Sequence, residues 1–260
     1  MNDLDRKVGK AIKLFWETRE SQNANQGTTS GQKDAGLRKA VTGGKHLDGF
    51  TGICRDLFID GGVPEAHVYG LDKRELPGFY RAEKSWDLIV VADGHLLALV
   101  EFKAQVGPSF GNNFNNRTEE ALGNATDLWK AYEKGAFKPS PRPWLGYVFI
   151  LEDCPSSQRP VAVRQPHFNV FPEFIGASYA KRYEILLTKL LRNRLYDGVC
   201  LLLTTADGGR KGRFSTPCPE LSFNTFAAGL TAQAIAYAKT HDHGRERTIA
   251  AQKGRNRRRP

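Results

Sequence analysis

The sequence predicts an α/β (α+β) fold in which helices flank a mixed β-sheet. Residues 88–103 form two β-rich runs around Asp93-Gly94, a pair typical of a two-residue hairpin turn. A helical pattern at 117–134 and a buried run at 144–151 follow the hairpin. The second hairpin strand, this helix and this run form a β-α-β unit, which we expect to be right-handed with parallel strands.

Before the hairpin, the chain alternates between helical and irregular segments. Apolar residues at helical spacing predict helices over 5–23 and 46–60, and the second ends at two glycines. The polar, glycine-rich stretch 23–36 predicts a mobile loop. Residues 66–71 predict a short strand, and 79–83 are compatible with either a loop or a strand.

After the β-α-β unit, the pattern predicts a helix over 178–196, a strand over 199–204 and an alanine-rich helix over 223–240. The last segment, 244–260, has seven basic residues, one acidic residue and no apolar periodicity. We therefore expect a single domain over 1–243, followed by a basic, disordered tail over 244–260.

Composition and charge exclude several classes of protein. The 260 residues carry a formal net charge of +10, which favours a polyanionic partner without indicating a chemistry. The four cysteines form no CxxC pair and the histidines complete no zinc-ligand spacing, so we expect reduced thiols and neither a disulfide framework nor a zinc module. No apolar run reaches membrane-spanning length and the first residues lack a secretory apolar region. We therefore expect a cytoplasmic protein without membrane association.

Two carboxylates and a lysine on the hairpin carry the candidate chemistry. Asp87 opens the first strand, while Glu101 and Lys103 end the second and share one of its faces. Counting from the turn places Asp87 nearly opposite Glu101, and opposed like charges are destabilising unless a cation lies between them. Two carboxylates and a backbone carbonyl, which we assign to Phe102, are suitable ligands for Mg²⁺.

Lys103 would then orient or help deprotonate a water molecule and stabilise charge on a reacting phosphorus. This chemistry suits phosphodiester hydrolysis. The alternative, which spacing alone leaves open, is a solvated pair of carboxylates with an idle lysine at a strand end.

Two further segments are candidates for DNA contact. The first is 105–117, predicted as a loop that leads into a helix N-terminus, where amide and guanidinium side chains could read base edges and phosphate is favoured. Its candidate residues are Gln105, Asn112, Asn113, Asn115, Asn116 and Arg117. The alternative is an ordinary capped helix with Asn116 or Thr118 as the cap.

The second segment, 36–46, combines basic residues with flexible glycines, and Arg38, Lys39, Lys45 and His46 could bind phosphate there. A solvated loop explains these residues equally well. Glu17 and Glu20 on the first helix could approach the metal, although a solvent-facing role is simpler for both.

Over residues 5–240 the chain resembles the XhoI-type restriction endonucleases of the PD-(D/E)XK nuclease superfamily. The resemblance is carried by 86–137 (WDLIVVADGHLLALVEFKAQVG and onward), with support from 15–22 and 40–50. It implies a restriction-endonuclease-like fold, with the superfamily's Asp, Glu and Lys at Asp87, Glu101 and Lys103. The superfamily's usual proline before the aspartate is Trp86 here, a replacement that removes no metal ligand.

The resemblance also implies a function. A Mg²⁺-dependent homodimer would cut both strands of double-stranded DNA at a palindromic site, CTCGAG in XhoI-like enzymes, after the first C. A companion DNA methyltransferase would protect the host, without being a stable subunit. Two alternatives are a structure-specific repair or junction nuclease of the same fold and a non-catalytic DNA-binding module.

Overall fold

The computed structural model describes residues 2–26 and 45–256, and the side chains of 2–21 and 46–241. Its main feature is a mixed sheet of five strands in the order β1-β4-β5-β6-β7, beside a small two-stranded sheet of β2 and β3. The strands are β1 (Val68–Tyr69), β2 (Glu75–Pro77), β3 (Glu83–Ser85), β4 (Leu88–Ala92), β5 (His95–Gln105), β6 (Trp144–Glu152) and β7 (Gly198–Thr204).

Helices cover both faces of the large sheet, as predicted. They are α1 (Asp3–Gln26), α2 (Asp48–Asp60), α3 (Phe110–Glu133), α4 (Pro155–Gln158), α5 (Tyr179–Arg192), α6 (Ala206–Gly209) and α7 (Phe223–Asn256). One core lies between the sheet and α1, α2 and α7, and a second lies between the sheet and α3 and α5. Strands with buried residues on both faces explain the nearly continuous apolar runs in β5, β6 and β7.

The predicted hairpin is confirmed. Asp93 and Gly94 both have positive φ, 51° and 76°, as the two central residues of a type I′ turn require. Strands β4 and β5 pair in antiparallel fashion from Leu88 opposite Val100 to Ala92 opposite His95, and the register shifts once, after Val90. The paired, buried strands therefore bring the start of β4 beside the middle of β5, at Val100.

The predicted parallel unit is also confirmed, since β5 pairs in parallel with β6, and β6 with β7. The helix between β5 and β6 begins earlier than predicted, however. Residues 110–116 are helical rather than part of a loop, and neither Asn116 nor Thr118 is the cap, because Ser109 precedes the first turn. Burial of Phe110 and edge-to-face contact of Phe114 with Tyr183 explain why tertiary packing overrides the weak helix propensity of glycine and asparagine.

Several shorter predictions are refined. Only Val68–Tyr69 of the predicted strand 66–71 is extended, after a 3₁₀ turn at Glu65–His67. The ambiguous segment 79–83 is the turn between β2 and β3 with the first residue of β3. Of the predicted loop 23–36, residues 23–26 end α1 and the rest lie outside the described residues.

The last helix, α7, continues through 244–256, within the segment that the sequence predicts as a disordered tail. Its arginines, lysine, glutamine and alanines are good helix formers. The division of the chain at residue 243 stays a prediction. None of the helices in the described part of the chain has the length and apolar character needed to cross a membrane. All four cysteines are free thiols, as expected.

Candidate active site

The two carboxylates of the hairpin lie side by side. Since Leu88 pairs with Val100, the next pair outward is Asp87 and Glu101, as the sequence predicts. Oδ2 of Asp87 accepts a hydrogen bond of 2.7 Å from the main-chain N–H of Phe102, which fixes the aspartate across the strands. The Glu101 side chain is 3% exposed and that of Asp87 is 37% exposed, so only the aspartate has substantial access to solvent.

Lys103 lies between these carboxylates. Its ammonium group donates to Oε1 of Glu101 and is 4.0 Å from Oδ2 of Asp87. Burial lowers the pKa of Lys103, but the two carboxylates outweigh burial and raise it above its ordinary value. Without a bound cation, Lys103 is therefore protonated and supplies the positive charge that the opposed carboxylates require.

A second lysine, which was not among the predicted site residues, contacts the same glutamate. Nζ of Lys84 on β3 donates to Oε2 of Glu101 at 3.0 Å, so each carboxylate oxygen has its own ammonium donor. Lys84 is three residues from Asp87 in the sequence, but only the small sheet of β2 and β3 folds it over the site. No local pattern could have indicated this contact.

The two carboxylates differ in electrostatic environment. Burial raises the pKa of Glu101, but Lys103 and Lys84 outweigh burial and hold that pKa below its ordinary value. Burial and the neighbouring Glu101 raise the pKa of Asp87, whereas Lys103 and the Phe102 N–H lower it. The raising effects are larger, so the pKa of Asp87 lies above its ordinary value. Glu101 is thus a fixed anion, whereas the charge on Asp87 is incompletely compensated and would be stabilised by an added cation.

A cavity of about 320 Å³ opens beside Asp87 and Lys103. Its wall is formed by α1, the turn before α2, the start of β4, the end of β5 and the first half of α3, through Arg19, His46, Leu47, Asp87, Phe102, Lys103, Ala104, Gln105, Val106, Asn113 and Arg117. His46 ends the predicted phosphate segment 36–46, whereas Arg19 was not predicted as a site residue, because α1 is far away in the sequence. Asp87 is the one carboxylate in a wall that also holds three cationic side chains, so the cavity suits an anion.

Three nitrogens in this wall are buried without a hydrogen-bond partner among the described residues: Nε2 of Gln105, Nε of Arg117 and Nδ1 of His46. Buried polar groups are almost always satisfied, so such orphans indicate a polar occupant. Oε1 of Gln105 accepts from the Tyr183 hydroxyl, which orients the amide of Gln105. Burial and Arg19 lower the pKa of His46 to about 4, so its imidazole is neutral near pH 7.

The predicted DNA-contact residues separate into three groups. Gln105, Asn113 and Arg117 line the cavity, the last two because residues four apart share a helix face. Asn112, Asn115 and Asn116 are exposed elsewhere on α3. Arg38 and Lys39 lie outside the described residues, and so does the side chain of Lys45, whose backbone begins a 3₁₀ turn.

The two glutamates of α1 are not at the site. Glu17 pairs with Lys13 at 3.7 Å and Glu20 with Arg210, both on the exposed surface. Within the described parts of the chain, no group of three or more His, Cys, Asp and Glu side chains is arranged to hold a metal ion. The simpler, solvent-facing interpretation of Glu17 and Glu20 therefore fits the structure.

The donor set nevertheless fits a hard divalent cation. Asp87 and Glu101 would provide carboxylate oxygens, and Phe102, between Glu101 and Lys103, would provide a main-chain carbonyl. Oxygen donors of this kind, completed by water, suit Mg²⁺. The incompletely compensated Asp87 charge is the observation that favours a cation there.

The chain matches a known protein family over most of its length. The family model described as restriction endonuclease XhoI matches residues 26–216. The chain is 49% identical over 203 residues to the type II restriction enzyme BstVI of Geobacillus stearothermophilus, covering 76% of this chain and 91% of that protein. It is 42% identical over 191 residues to the type II restriction enzyme XhoI of Xanthomonas vasicola, covering 73% of this chain and 76% of that protein. No solved structure matches the chain. The chain belongs to the XhoI family of restriction endonucleases.

Proposed function

We propose that this restriction endonuclease hydrolyses phosphodiester bonds of double-stranded DNA at CTCGAG, after the first C, and that it requires Mg²⁺. The observation that supports it most is the set Asp87, Glu101 and Lys103. Asp87 and Lys103 of this set line a cavity whose wall also holds the side chains of Arg19 and Arg117. The relative from Xanthomonas vasicola is named XhoI, which supports the choice of CTCGAG.

Asp87, Glu101 and the carbonyl of Phe102 would hold the Mg²⁺, which when bound supplies Lewis acidity and neutralises charge at the scissile phosphate. Lys103, which is protonated, would donate a hydrogen bond to the attacking water or to a phosphate oxygen and stabilise the developing negative charge. Asp87 would orient the water molecules at the same edge, since it is the more exposed of the two carboxylates.

The cavity would hold the phosphate backbone beside the cut. The guanidinium groups of Arg19 and Arg117 provide charge, and the orphaned amide nitrogen of Gln105 provides a donor oriented by Tyr183. Asn113 lies on the same wall, one helical turn before Arg117. The exposed Asn112, Asn115 and Asn116 are candidates for base contacts, because asparagine reads adenine edges. Arg38, Lys39 and Lys45 remain candidates for phosphate contacts.

A palindromic target presents two equivalent bonds, and two copies related by a two-fold axis match that symmetry. We therefore propose a homodimer with one site for each strand. The host DNA would need protection by a separate methyltransferase of the same specificity, which makes no stable complex with this chain. Both would act in the cytoplasm.

The test is to digest long DNA of known sequence with the purified protein and Mg²⁺ and then to sequence the ends of all fragments. We expect every end to lie after the first C of CTCGAG, and EDTA to stop cleavage. Ends at branched or mismatched structures, or at another sequence, would contradict the proposed specificity.

A further inference from the structure

Lys84 has an unusual environment for a lysine near a catalytic centre. Its side chain is only 12% exposed, and its ammonium group lies 4.3 Å from the centre of the Trp86 ring. The same group donates to Oε2 of Glu101 at 3.0 Å and to the main-chain carbonyl of Ser85 at 3.1 Å. Removing a lysine ammonium group from water is unfavourable unless its charge is paired. The pairing with Glu101 therefore stabilises Lys84 in this largely buried position.

The contacts of Lys84 leave it little capacity to bind substrate. An ammonium group has three donors, and the glutamate, the Ser85 carbonyl and the indole face account for them. Lys84 is also absent from the wall of the cavity that contains Lys103. Lys84 therefore acts on Glu101 rather than on DNA.

The two lysines bind different oxygens of the Glu101 carboxylate. Lys103 is 22% exposed and faces the cavity, so it can leave Oε1 when a cation arrives. Lys84 is fixed by its three contacts and keeps Oε2. Only one oxygen of Glu101 is then available to a metal ion.

We propose that Lys84 is a positioning residue that restricts Glu101 to one-oxygen ligation and thereby favours Mg²⁺ over Ca²⁺. This inference rests on the proposed function, in which Glu101 is a metal ligand. Mg²⁺ demands near-ideal octahedral geometry, whereas Ca²⁺ accepts two-oxygen carboxylates in a larger, flexible shell. A Glu101 freed from Lys84 would offer both oxygens and would improve the site for Ca²⁺ relative to Mg²⁺.

The test is calorimetric titration of the DNA-free protein with MgCl₂ and with CaCl₂. Lys84→Met keeps the length of the side chain and removes its donors, and we expect it to shift the ratio of the two affinities towards Ca²⁺ by about tenfold, the lower end of the effect typical of groups that orient metal ligands. Loss of positive charge alone should increase the affinities for both divalent ions by the same factor and leave the ratio of the affinities unchanged. Lys84→Arg keeps a donor, so its ratio should stay near that of the wild type.

Lys134→Met is the matched control, because Lys134 is an exposed lysine at the end of α3. An unchanged ratio in folded Lys84→Met, or an equal shift in Lys84→Arg, would overturn the proposal. If Lys84→Met does not fold, isotope-edited infrared spectra of wild-type protein labelled with ¹³C-glutamate decide. The carboxylate splitting should indicate one-oxygen ligation with either ion, and a two-oxygen splitting would overturn the proposal.

Glu101→Gln separates this inference from the function on which it rests. If that variant binds both ions as tightly as the wild type, Glu101 is not a metal ligand and the proposed centre is wrong. If Glu101→Gln loses the ions but Lys84→Met keeps the wild-type ratio, the centre stands and only the role of Lys84 is wrong.

Discussion

The carboxylate of Asp87 accepts a 2.7 Å hydrogen bond from the main-chain N–H of Phe102, across the strands that carry the candidate active site. This bond ties one proposed metal ligand to the backbone between Glu101 and Lys103. Burial and Glu101 nevertheless raise the pKa of Asp87, so its ionised form costs the fold stability. A group whose folded pKa is raised stabilises the fold at low pH and loses that contribution as pH rises through the folded value.

This relationship predicts that Asp87→Asn is more stable than the wild type in EDTA at neutral pH. Asparagine keeps an acceptor for the Phe102 N–H and removes the incompletely compensated charge. Asp87→Leu also removes the charge but leaves the N–H without a partner, at a cost of about 1–3 kcal/mol. In urea denaturation, the midpoint of Asp87→Asn should therefore be higher than those of the wild type and of Asp87→Leu. A midpoint for Asp87→Asn below that of the wild type would contradict this electrostatic account.

Asp127 on α3 holds the turn between β2 and β3 in place. Its side chain is 6% exposed, and Oδ1 accepts from the main-chain N–H groups of Phe79 and Tyr80, both at 2.8 Å. Oδ2 accepts from Nε of Arg81 at 2.7 Å. Asp127→Ala should lower the free energy of unfolding by about 2–4 kcal/mol, because two N–H groups and an arginine lose their acceptor.

Asp127→Asn is the control for this prediction, since Oδ1 keeps both N–H partners and the loss should be smaller. Equal losses in the two variants would mean that the N–H bonds are unimportant. The turn also carries the β3 strand of Lys84, so we expect Asp127→Ala to slow DNA cleavage as well as to lower stability.

His46 should make the stability depend on pH. Burial and Arg19 lower its folded pKa to about 4, from the ordinary value of 6.5. Between these values the unfolded chain binds more protons than the folded one, so stability falls as pH falls from 6.5 to 4. The contribution of His46 is up to about 3 kcal/mol over this window.

The measurement is urea denaturation of wild type and His46→Asn across pH 4–7. Carboxylates titrate in the lower part of the range in both proteins, so the comparison isolates His46. We expect the variant to lose less stability on acidification. Parallel curves for the two proteins would show that the imidazole is not held neutral.

Arg117 should contribute a phosphate contact. It lines the cavity beside Lys103 and pairs with Glu120, which holds its guanidinium at the wall. Arg117→Met should weaken binding to DNA of any sequence and reduce the slope of log K against log salt by about 1. Binding is measured with Ca²⁺ in place of Mg²⁺, with Lys134→Met as the control. An unchanged salt slope would exclude Arg117 from the interface.

The local part of the site was predictable, and the assembled part was not. Asp87, Glu101 and Lys103 belong to one hairpin, whose turn pair and alternating strands determine which residues lie opposite each other. Lys84 and Arg19 join the site through the small sheet and α1, and no periodicity connects these segments with the hairpin. His46 ends the predicted phosphate segment 36–46, but only the fold places it in the same cavity wall as Asp87.

The start of α3 could not be predicted from residue propensities. Glycine and asparagine at 111–116 predict a loop by propensity, yet buried Phe110 and Phe114 against Tyr183 hold the segment as helix. This packing decides which side chains reach the cavity. Asn113 and Arg117 face it, whereas the neighbouring asparagines do not, a distinction that the loop prediction could not make.

We propose that the Asp87–Glu101–Lys103 centre cuts DNA at CTCGAG. The most direct measurement uses a short duplex with one CTCGAG site, Mg²⁺, and wild-type or Glu101→Gln protein. Glutamine is preferred to alanine, because it keeps the size of the side chain and its amide oxygen keeps an acceptor for one of the two ammonium groups, those of Lys84 and Lys103. We expect the wild type to cut both strands after the first C, and the variant to bind the duplex but to cut it more than about 100-fold more slowly. Undiminished cutting by a folded Glu101→Gln variant would contradict the account.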